Sequence, residues 1–398
     1  MRVATVITRL NIGGASPPVI SLAVGLRDRG HESLLIVGEP EPGEGSLESE
    51  AAAAGAHIVK LPDLRRNISL VRDARVLRQL VARFREFKPD IVATHMSKAG
   101  ALGRVAARLA GVPAVVHTYH GKGFDVFARG WRRSSALSLE RVLARIATGN
   151  IVVSDKQEQE FLDLRVAPAS RLRVIRYGLD LDPFIRAAEG RGGLRAELGL
   201  PPDALLVGVV ARVVAIKGQD VFVRAVARLG DAWPGARFLV VGDGPFRPEC
   251  EALGRTLGVD GRVRYLGWRR DIPDVLASLD LVALPTVMDF EGTPVALIEA
   301  LATRRAVVAT DVGGVADVIK EGRTGLLVPP GDADALAAAI GRLLGDAAAR
   351  DAYGRNGQVL VRERHARERM VDETERYYRE LLETRAEHHA PSTHRPAD

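Results

Sequence analysis

Residues 281–299 read LVALPTVMDFEGTPVALIE. The apolar run at the start is typical of a strand buried on both faces, and the apolar residues after Pro294 continue as a helix. Thr293 suits the N-cap of that helix and Pro294 its first turn. This stretch therefore predicts a strand, a polar loop and a helix, which is the repeating unit of a parallel α/β sheet.

The same unit recurs along the whole chain. Strands are predicted at Arg2–Ile7, Ser33–Val37, Ile58–Leu61, Ile91–Thr94, Ala114–Thr118, Asn150–Val153, Arg173–Arg176, Leu205–Val210, Arg237–Val241, Val263–Leu266, Leu281–Leu284, Ala306–Thr310 and Gly325–Val328. Gly178 and Pro183 mark a predicted boundary between two series of strand–helix units. We expect an α/β fold of two Rossmann-like, doubly wound parallel-sheet domains that face each other across a cleft.

The predicted domains are residues 1–180 and 181–365. A strongly charged helix at about 366–384 is a candidate to pack back on the first domain, and the polar tail 386–398 is predicted to be disordered.

Composition narrows the class of protein. Of the 398 residues, 46% are apolar and 27% charged, as in soluble globular proteins. No apolar run reaches the roughly 18 residues of a membrane-spanning helix. The short apolar start, interrupted by Arg9, does not read as a secretory signal, and the single Cys250 excludes an internal disulfide. These features predict a cytoplasmic protein.

Residues 61–145 are strongly basic, with 17 Lys and Arg against 6 Asp and Glu. In the predicted helix 70–87 an apolar face is expected to hold Leu70, Ala74, Leu77, Val81 and Phe84, while arginines that include Arg72, Arg75 and Arg78 occupy the rest. Nucleic acid, an acidic membrane surface or plain solvation would each explain this charge. With only 5% aromatic residues and no recognised module, nucleic acid is not expected. We favour peripheral contact with the inner face of the plasma membrane through this helix and Trp131-Arg132-Arg133.

Polar residues follow several predicted strands. Arg212 and Lys217 come after strand 205–210, where two cations can hold a diphosphate and neutralise a leaving group; two solvated surface cations are the alternative. Glu299 lies eight residues after Glu291 and is placed to accept two hydrogen bonds from a ribose diol, with Glu291 placed to meet a sugar. A loop glutamate and a solvated helix glutamate are the alternative. The helix N-terminus at Gly292, Thr293 and Pro294 offers free N–H groups to a phosphate.

Glycines mark further turns at strand ends. Gly13 and Gly14 follow the first strand, and Gly242 and Gly244 follow strand 237–241. Each glycine lets backbone approach a ligand, or simply makes a tight turn. The chain has neither G-x-G-x-x-G after the first strand nor G-x-x-x-x-G-K-[ST], which argues against a dinucleotide oxidoreductase and a P-loop NTPase.

Two histidines end first-domain strands. His120 precedes Gly121 beyond strand 114–118 and is a candidate to point into the cleft, and His95 is a similar, weaker candidate. A structural role is the alternative for each.

Together these pieces resemble the retaining glycosyltransferase family 4, with the GT-B fold, over about residues 1–385. The Glu291-to-Glu299 element looks like the family's E-x7-E motif, and Arg212 and Lys217 look like its diphosphate-binding pair. Gly13-Gly14 resembles its first glycine loop, and His120 its first-domain catalytic-site histidine. Segment 94–108 is similar to members that build bacterial surface polysaccharides.

Two positions depart from the family pattern. Tyr177 stands where the family usually has Asn, and segment 15–18, Ala-Ser-Pro-Pro, lacks the acidic residue common after the glycine loop.

The resemblance implies transfer with retention from a nucleotide-diphosphate sugar, by frequency in the family a UDP-sugar, to a glycan or lipid-linked acceptor. It implies no cofactor and no metal, because Arg212 and Lys217 would do a cation's work. A nucleotide-sugar 2-epimerase of the same architecture is the alternative enzyme. A basic nucleic-acid-binding protein without enzymatic activity is the other alternative.

Overall fold

The computed structural model describes residues 1–41, 43–122, 130–288 and 292–389. Glu291 and segment 390–398, for which sequence-based predictions were made, lie outside the described residues.

The N-terminal domain is built on a seven-stranded parallel sheet. Its spatial order is β3-β2-β1-β4-β5-β6-β7, so the winding direction reverses between β1 and β4. The strands are β1 (Arg2–Ile7), β2 (Glu32–Val37), β3 (His57–Lys60), β4 (Ile91–His95), β5 (Ala114–Tyr119), β6 (Gly149–Val152) and β7 (Leu172–Val174). The helices are α1 (Ser16–Asp28), α2 (Glu48–Ala53), α3 (Leu70–Phe87), α4 (Ser97–Ala110), α5 (Trp131–Ile146) and α6 (Asp155–Asp163).

The C-terminal domain repeats the design with a six-stranded parallel sheet. Its order is β10-β9-β8-β11-β12-β13, and the winding reverses between β8 and β11. The strands are β8 (Leu206–Val210), β9 (Arg237–Val241), β10 (Val263–Gly267), β11 (Leu281–Leu284), β12 (Ala306–Thr310) and β13 (Gly325–Val328). The helices are α7 (Asp182–Ala187), α8 (Leu194–Glu197), α9 (Gln219–Leu229), α10 (Arg247–Thr256), α11 (Ile272–Ser278), α12 (Val295–Ala302), α13 (Val315–Val318), α14 (Ala333–Gly345) and α15 (Ala347–His365), and a last helix, α16 (Arg367–His389), follows them in the chain.

Both sheets are buried on both faces, which is why their strands read as continuous apolar runs. In the C-terminal domain Phe222 and Phe238 belong to the core on one face, and Leu297 and Leu301 to the core on the other. The sequence-based prediction of two doubly wound parallel-sheet domains is confirmed, and each predicted strand is present within one or two residues at either end.

Three local predictions were wrong. In α3 the buried stripe is Val76, Leu80 and Phe84, whereas Leu70 is 86% exposed because the helix begins beyond the edge of the core. Helix α12 begins at Val295, and the Thr293 hydroxyl caps nothing, since it donates to the Val153 carbonyl oxygen at 3.2 Å. Helix α16 continues to His389, beyond the expected start of the tail.

Helix α16 lies on the N-terminal domain although it ends the chain. Val371 and Tyr378 join Leu22 and Leu26 of α1 in one apolar cluster. The chain thus crosses between domains twice, and the crossings pair with each other. The Leu179 N–H donates to the His365 carbonyl at 2.9 Å, and the Arg367 N–H to the Leu179 carbonyl at 3.0 Å.

Candidate active site

The candidate site lies between the two domains, at the carboxyl ends of the strands. Open α/β sheets bind ligands where the strand order reverses. Arg212 follows β8, and the loop 285–294 follows β11, so these segments flank the reversal point of the C-terminal sheet. Arg9 and His95 lie at the equivalent ends of β1 and β4.

Backbone contacts hold the Arg212 and Lys217 segment against the loop after β11. Lys217 ends a short turn before Gly218, which has φ 67°. A Cβ at Gly218 would overlap the Pro285 carbonyl, and the Val287 N–H donates to the Ile216 carbonyl at 3.0 Å. Only glycine allows this approach with this backbone. The two candidate cations therefore lie on a segment packed against the loop after β11.

Gly242 and Gly244 have a packing role. A Cβ at Gly242 would overlap the Ala211 carbonyl, and one at Gly244 the Val213 carbonyl. These glycines let the loop after β9 support the backbone on both sides of Arg212, so contact with a ligand remains a prediction for them. In the loop after β1, a Cβ at Gly13 would lie 3.0 Å from Asn11 Nδ2, whereas one at Gly14 would meet no atom within 4 Å. Of these two glycines, Gly14 borders open space.

The loop before α12 makes one of the contacts between the domains. A Cβ at Gly292 would lie 2.5 Å from the His120 carbonyl oxygen, and Thr293 bonds to Val153 as described above. Pro294 stands at the N-cap of α12 with φ −75°. This loop thus brings the start of α12 to the ends of β5 and β6 of the N-terminal domain.

Glu299 lies in the second turn of α12 and is partly buried. Desolvation raises the pKa of its carboxyl to about 8. Within the described part of the chain, no hydrogen bond or ion pair to this carboxylate is found. A ligand that donates hydrogen bonds to a carboxyl group in this setting stabilises its ionised form.

A carboxylate that the sequence did not single out reaches across the cleft. Glu44, in the loop between β2 and α2, is 7% exposed. It accepts hydrogen bonds from Arg9 Nε at 2.5 Å and from Arg212 Nη1 at 3.3 Å. Although burial alone would raise its pKa, the bonds from Arg9 and the charge of Arg212 hold the pKa of Glu44 below its usual value. No motif marks Glu44, because its role arises only when the two domains meet.

The two candidate histidines and Tyr177 form a connected chain of hydrogen bonds. His95 Nδ1 lies 3.0 Å from His120 Nε2, and His120 Nδ1 lies 2.6 Å from the Tyr177 hydroxyl. Burial lowers the pKa of His120 to about 4 and that of His95 well below its usual value. Both ring nitrogens of His120 are thus engaged within the protein. The sequence signal for Tyr177 was its departure from the family pattern.

The basic segment of the N-terminal domain holds exposed apolar side chains at the starts of two helices. Ile68, Leu70 and Val71 are 71–86% exposed at the start of α3, and Trp131 is 74% exposed at the start of α5. Basic side chains accompany these apolar groups, and Arg75 pairs with Asp63 at 2.8 Å. The predicted basic members of this surface are Arg72, Arg75, Arg78, Arg132 and Arg133.

The described residues contain neither a helix suited to span a membrane nor a group of side chains suited to hold a metal ion. None of the helices in ranges 1–41, 43–122, 130–288 and 292–389 is both long and apolar enough to cross a membrane. Over the same described ranges, no group of three or more His, Cys, Asp or Glu side chains is arranged to hold a metal ion.

The sequence was compared with known families and characterised proteins. Residues 13–178 match the family described as glycosyl transferase 4-like domain, and residues 202–346 match glycosyl transferases group 1. The chain is 33% identical over 290 residues to the UDP-Gal:alpha-D-GlcNAc-diphosphoundecaprenol alpha-1,3-galactosyltransferase of Escherichia coli, covering 72% of this chain and 74% of that one. It is 31% identical to the 2-deoxystreptamine glucosyltransferase of Streptomyces kanamyceticus, covering 75% and 77%.

Solved structures share the fold. Anabaena HepE in complex with UDP and glucose superposes with a TM-score of 0.79 at 22% identity, covering 95% of this chain and 99% of that one. The sucrose-phosphate synthase of Thermosynechococcus elongatus gives 0.81 at 24% identity, covering 96% and 100%. The predicted GT-B fold is confirmed by these neighbours. With both domains matched in order and a third of the aligned residues identical to those of a galactosyltransferase, the chain belongs to the GT4-type glycosyltransferases.

Proposed function

We propose that the protein transfers a sugar from a UDP-sugar to a lipid-linked or other glycan acceptor, with retention and without a metal ion, in the synthesis of a bacterial surface polysaccharide or glycolipid. The observation that carries this proposal is the packing of the Arg212 and Lys217 segment against the loop after β11, beside the reversal point of the C-terminal sheet. Donor and acceptor are supported by the relatives, since one is named for UDP-galactose and a diphosphoundecaprenol acceptor and another was solved with UDP and glucose.

Each candidate residue has a role in the proposed donor site. Arg212 and Lys217 bind the diphosphate, and the N–H groups near Gly292 and Thr293 add hydrogen bonds at the start of α12. Glu299 accepts hydrogen bonds from the ribose hydroxyls. Glu291, outside the described residues, is assigned to the hydroxyls of the donor sugar, and His120 lies near the reacting carbon.

The chemistry is a front-face substitution at the anomeric carbon. The bond from that carbon to the β-phosphate oxygen breaks, and a bond to the acceptor oxygen forms on the same face. The departing phosphate takes the acceptor's hydroxyl proton. Arg212 and Lys217 stabilise the negative charge that develops on the leaving group, which is the part a divalent cation plays in other transferases.

The test is a thermal-shift panel of UDP, GDP and ADP and their sugars, with and without EDTA. We expect stabilisation by the uridine series, unchanged by EDTA, because a ligand that binds only the folded state raises its stability. No shift with any nucleotide would refute the donor site, and a shift abolished by EDTA would refute metal independence.

We further propose that the exposed surface of Ile68, Leu70, Val71 and Trp131 with its arginines contacts an anionic membrane. Apolar side chains that enter the interface beside cations that meet acidic headgroups are the usual requirement for such binding. A lipid-linked acceptor would then be presented at the cleft from the bilayer.

Vesicle co-sedimentation tests this contact. Wild-type protein should bind vesicles that contain phosphatidylglycerol and release them at high salt, and L70E/V71E should bind much less. V359E is the matched control, since Val359 is a 57% exposed apolar residue on α15 of the other domain. Equal binding by both variants, or none by the wild type, would overturn the membrane proposal.

A further inference from the structure

The hydrogen-bond chain of His95, His120 and Tyr177 has a definite polarity. A phenol is a stronger hydrogen-bond donor than acceptor, whereas an unprotonated imidazole nitrogen is a good acceptor. We therefore assign the proton of the 2.6 Å bond to the Tyr177 oxygen and the acceptor to His120 Nδ1. A neutral imidazole has one donor and one acceptor nitrogen, so Nε2 of His120 carries the proton and donates to His95 Nδ1 at 3.0 Å.

The chain ends at His95. With its Nδ1 accepting, the Nε2 of neutral His95 carries a proton, and this nitrogen is buried without a hydrogen-bond partner in the described structure. His95 is one of the residues that line a small, mostly apolar cavity, together with Leu22 of α1 and Met370 of α16. The described residues that line the cavity offer His95 Nε2 no charged partner. We therefore infer that Tyr177 sets the direction of donation along the three hydrogen-bonded side chains.

Tyr177 is itself anchored at the crossing between the domains. His365 Nδ1 lies 2.8 Å from the Tyr177 carbonyl oxygen, which can only accept, so His365 donates. The next residue, Gly178, packs its Cα against α16, where a Cβ would lie 2.5 Å from Met370 Cβ. The tyrosine ring thus runs from a fixed point of the crossing to the imidazole at the cleft.

We propose that Tyr177 is a positioning residue, with His95 as its counterpart, that holds His120 in one neutral tautomer and one orientation at the cleft. Tyr177 does not touch substrate in this role and acts only through His120. The inference rests on the proposed function, because it assumes that His120 lies beside the reacting carbon. An asparagine at position 177, the usual family residue, has a shorter side chain than tyrosine and would not bring a polar group as far towards the ring.

The pKa of His120 can report whether the hydrogen bond from Tyr177 is present. Among the described residues, the titratable groups that face the ring are His95 from β4, His117 from β5 and Tyr177 from the crossing, and the charge of Arg104 acts on His117. The α1 and α16 residues that line the adjoining cavity are Pro18, Val19, Leu22, Met370 and Thr374, none of which titrates. Donation from Tyr177 to Nδ1 favours the neutral imidazole, so its loss raises the pKa of His120.

The experiment compares Y177F with Y377F. Tyr377 is also buried, but it lies on α16 away from the histidines, so Y377F controls for loss of a buried phenol hydroxyl. We expect Y177F to lower kcat for release of UDP from the UDP-sugar by on the order of 10- to 100-fold, because a displaced catalytic-site group loses alignment. The UDP dissociation constant should not change, and the acid limb of the rate profile should move to higher pH.

NMR of isotope-labelled histidine nitrogens tests the same assignment without any turnover. In the wild type, His120 should show an unprotonated Nδ1 and a protonated Nε2, and in Y177F a mixture of tautomers. A wild-type signal from a protonated Nδ1, or a Y177F variant that matches Y377F in kcat and acid limb, would overturn the proposal. Should the wild type release no UDP, the proposed function fails, while the NMR measurement still decides the tautomer.

Discussion

The Glu44 carboxylate of the N-terminal domain lies 3.3 Å from Arg212 Nη1 of the C-terminal domain. The guanidinium that we assign to the donor diphosphate is therefore already bound to an anion. We expect the donor phosphate and Glu44 to compete for this guanidinium. Arg9, at 2.5 Å from Glu44, keeps the carboxylate at the cleft when Arg212 turns to the ligand.

Substitution E44Q should tighten UDP binding. The amide keeps the size of the side chain but removes the competing charge, and a partly exposed ion pair of this kind is worth about 1 kcal/mol, or roughly fivefold in affinity. Isothermal titration with UDP gives the comparison. The control is E39Q, since Glu39 in the same loop pairs with Lys60 at 3.2 Å. An unchanged or weaker affinity in E44Q would show that Glu44 supports Arg212 instead of competing with the donor.

Donor affinity should rise with pH through about 8. The raised pKa of Glu299 leaves its carboxyl mostly protonated at pH 7, whereas the ionised form is the better acceptor for two ribose hydroxyls. Binding should thus release a proton near neutral pH, detectable by titration in buffers of different ionisation enthalpy. E299Q should bind UDP more weakly and without this pH dependence between pH 7 and 9. A wild-type affinity that is flat over this range would contradict the ribose assignment.

Substitution K217M should lower kcat more than donor affinity. The Lys217 charge is expected to matter most when the leaving phosphate gains negative charge, and removal of one such stabilising group costs on the order of 100- to 1000-fold. Steady-state UDP release and equilibrium UDP binding separate the two effects. K320M serves as the control, because Lys320 Nζ donates to the Ala316 carbonyl within its own segment. Equal losses in both variants would remove the catalytic role.

Substitution G218A should destabilise the protein more than G258A. Both glycines have φ 67°, so both variants carry the left-handed backbone cost of about 1 kcal/mol. A Cβ at Gly258 meets no atom within 4 Å, whereas one at Gly218 overlaps the Pro285 carbonyl. Urea unfolding measures the difference, and UDP binding should weaken in G218A alone. Equal free energies of unfolding for G218A and G258A would show that the loop after β11 moves to accommodate the added methyl group at no cost.

Stability should begin to fall as pH drops below about 6.5. Burial lowers the pKa of four histidines, His95, His117, His120 and His365. Below about pH 6.5 the unfolded chain therefore binds more protons than the native chain does. The contribution of these groups is present above the unfolded pKa and is lost towards pH 4. Urea unfolding at pH 7, 6 and 5 gives the slope, and H365Q should reduce it by about one proton. A flat profile would contradict the neutral buried histidines.

The alternation of buried strands and helices was readable from the sequence, because strands covered on both faces leave continuous apolar runs such as Leu281–Leu284. The order of those units also placed Arg212 and Lys217 beyond the end of one strand and Glu299 in the helix that follows another, and parallel strands in one sheet all end at the same edge. Helix ends were less predictable. Thr293 looked like an N-cap, but its hydroxyl instead bonds to Val153, which is 140 positions away in the chain.

Only the tertiary structure decided which groups that are distant in the chain meet. Glu44 and Arg212 are 168 positions apart, and Tyr177 and His120 are 57 apart. No local pattern encodes such pairs, because each depends on how two independently wound sheets pack and on the path of the crossing between them. The sequence by itself determined the two parallel-sheet domains and which polar residues follow their strands. The packing of one domain on the other decided which anion holds Arg212, and the path of the crossing decided which hydroxyl bonds to His120.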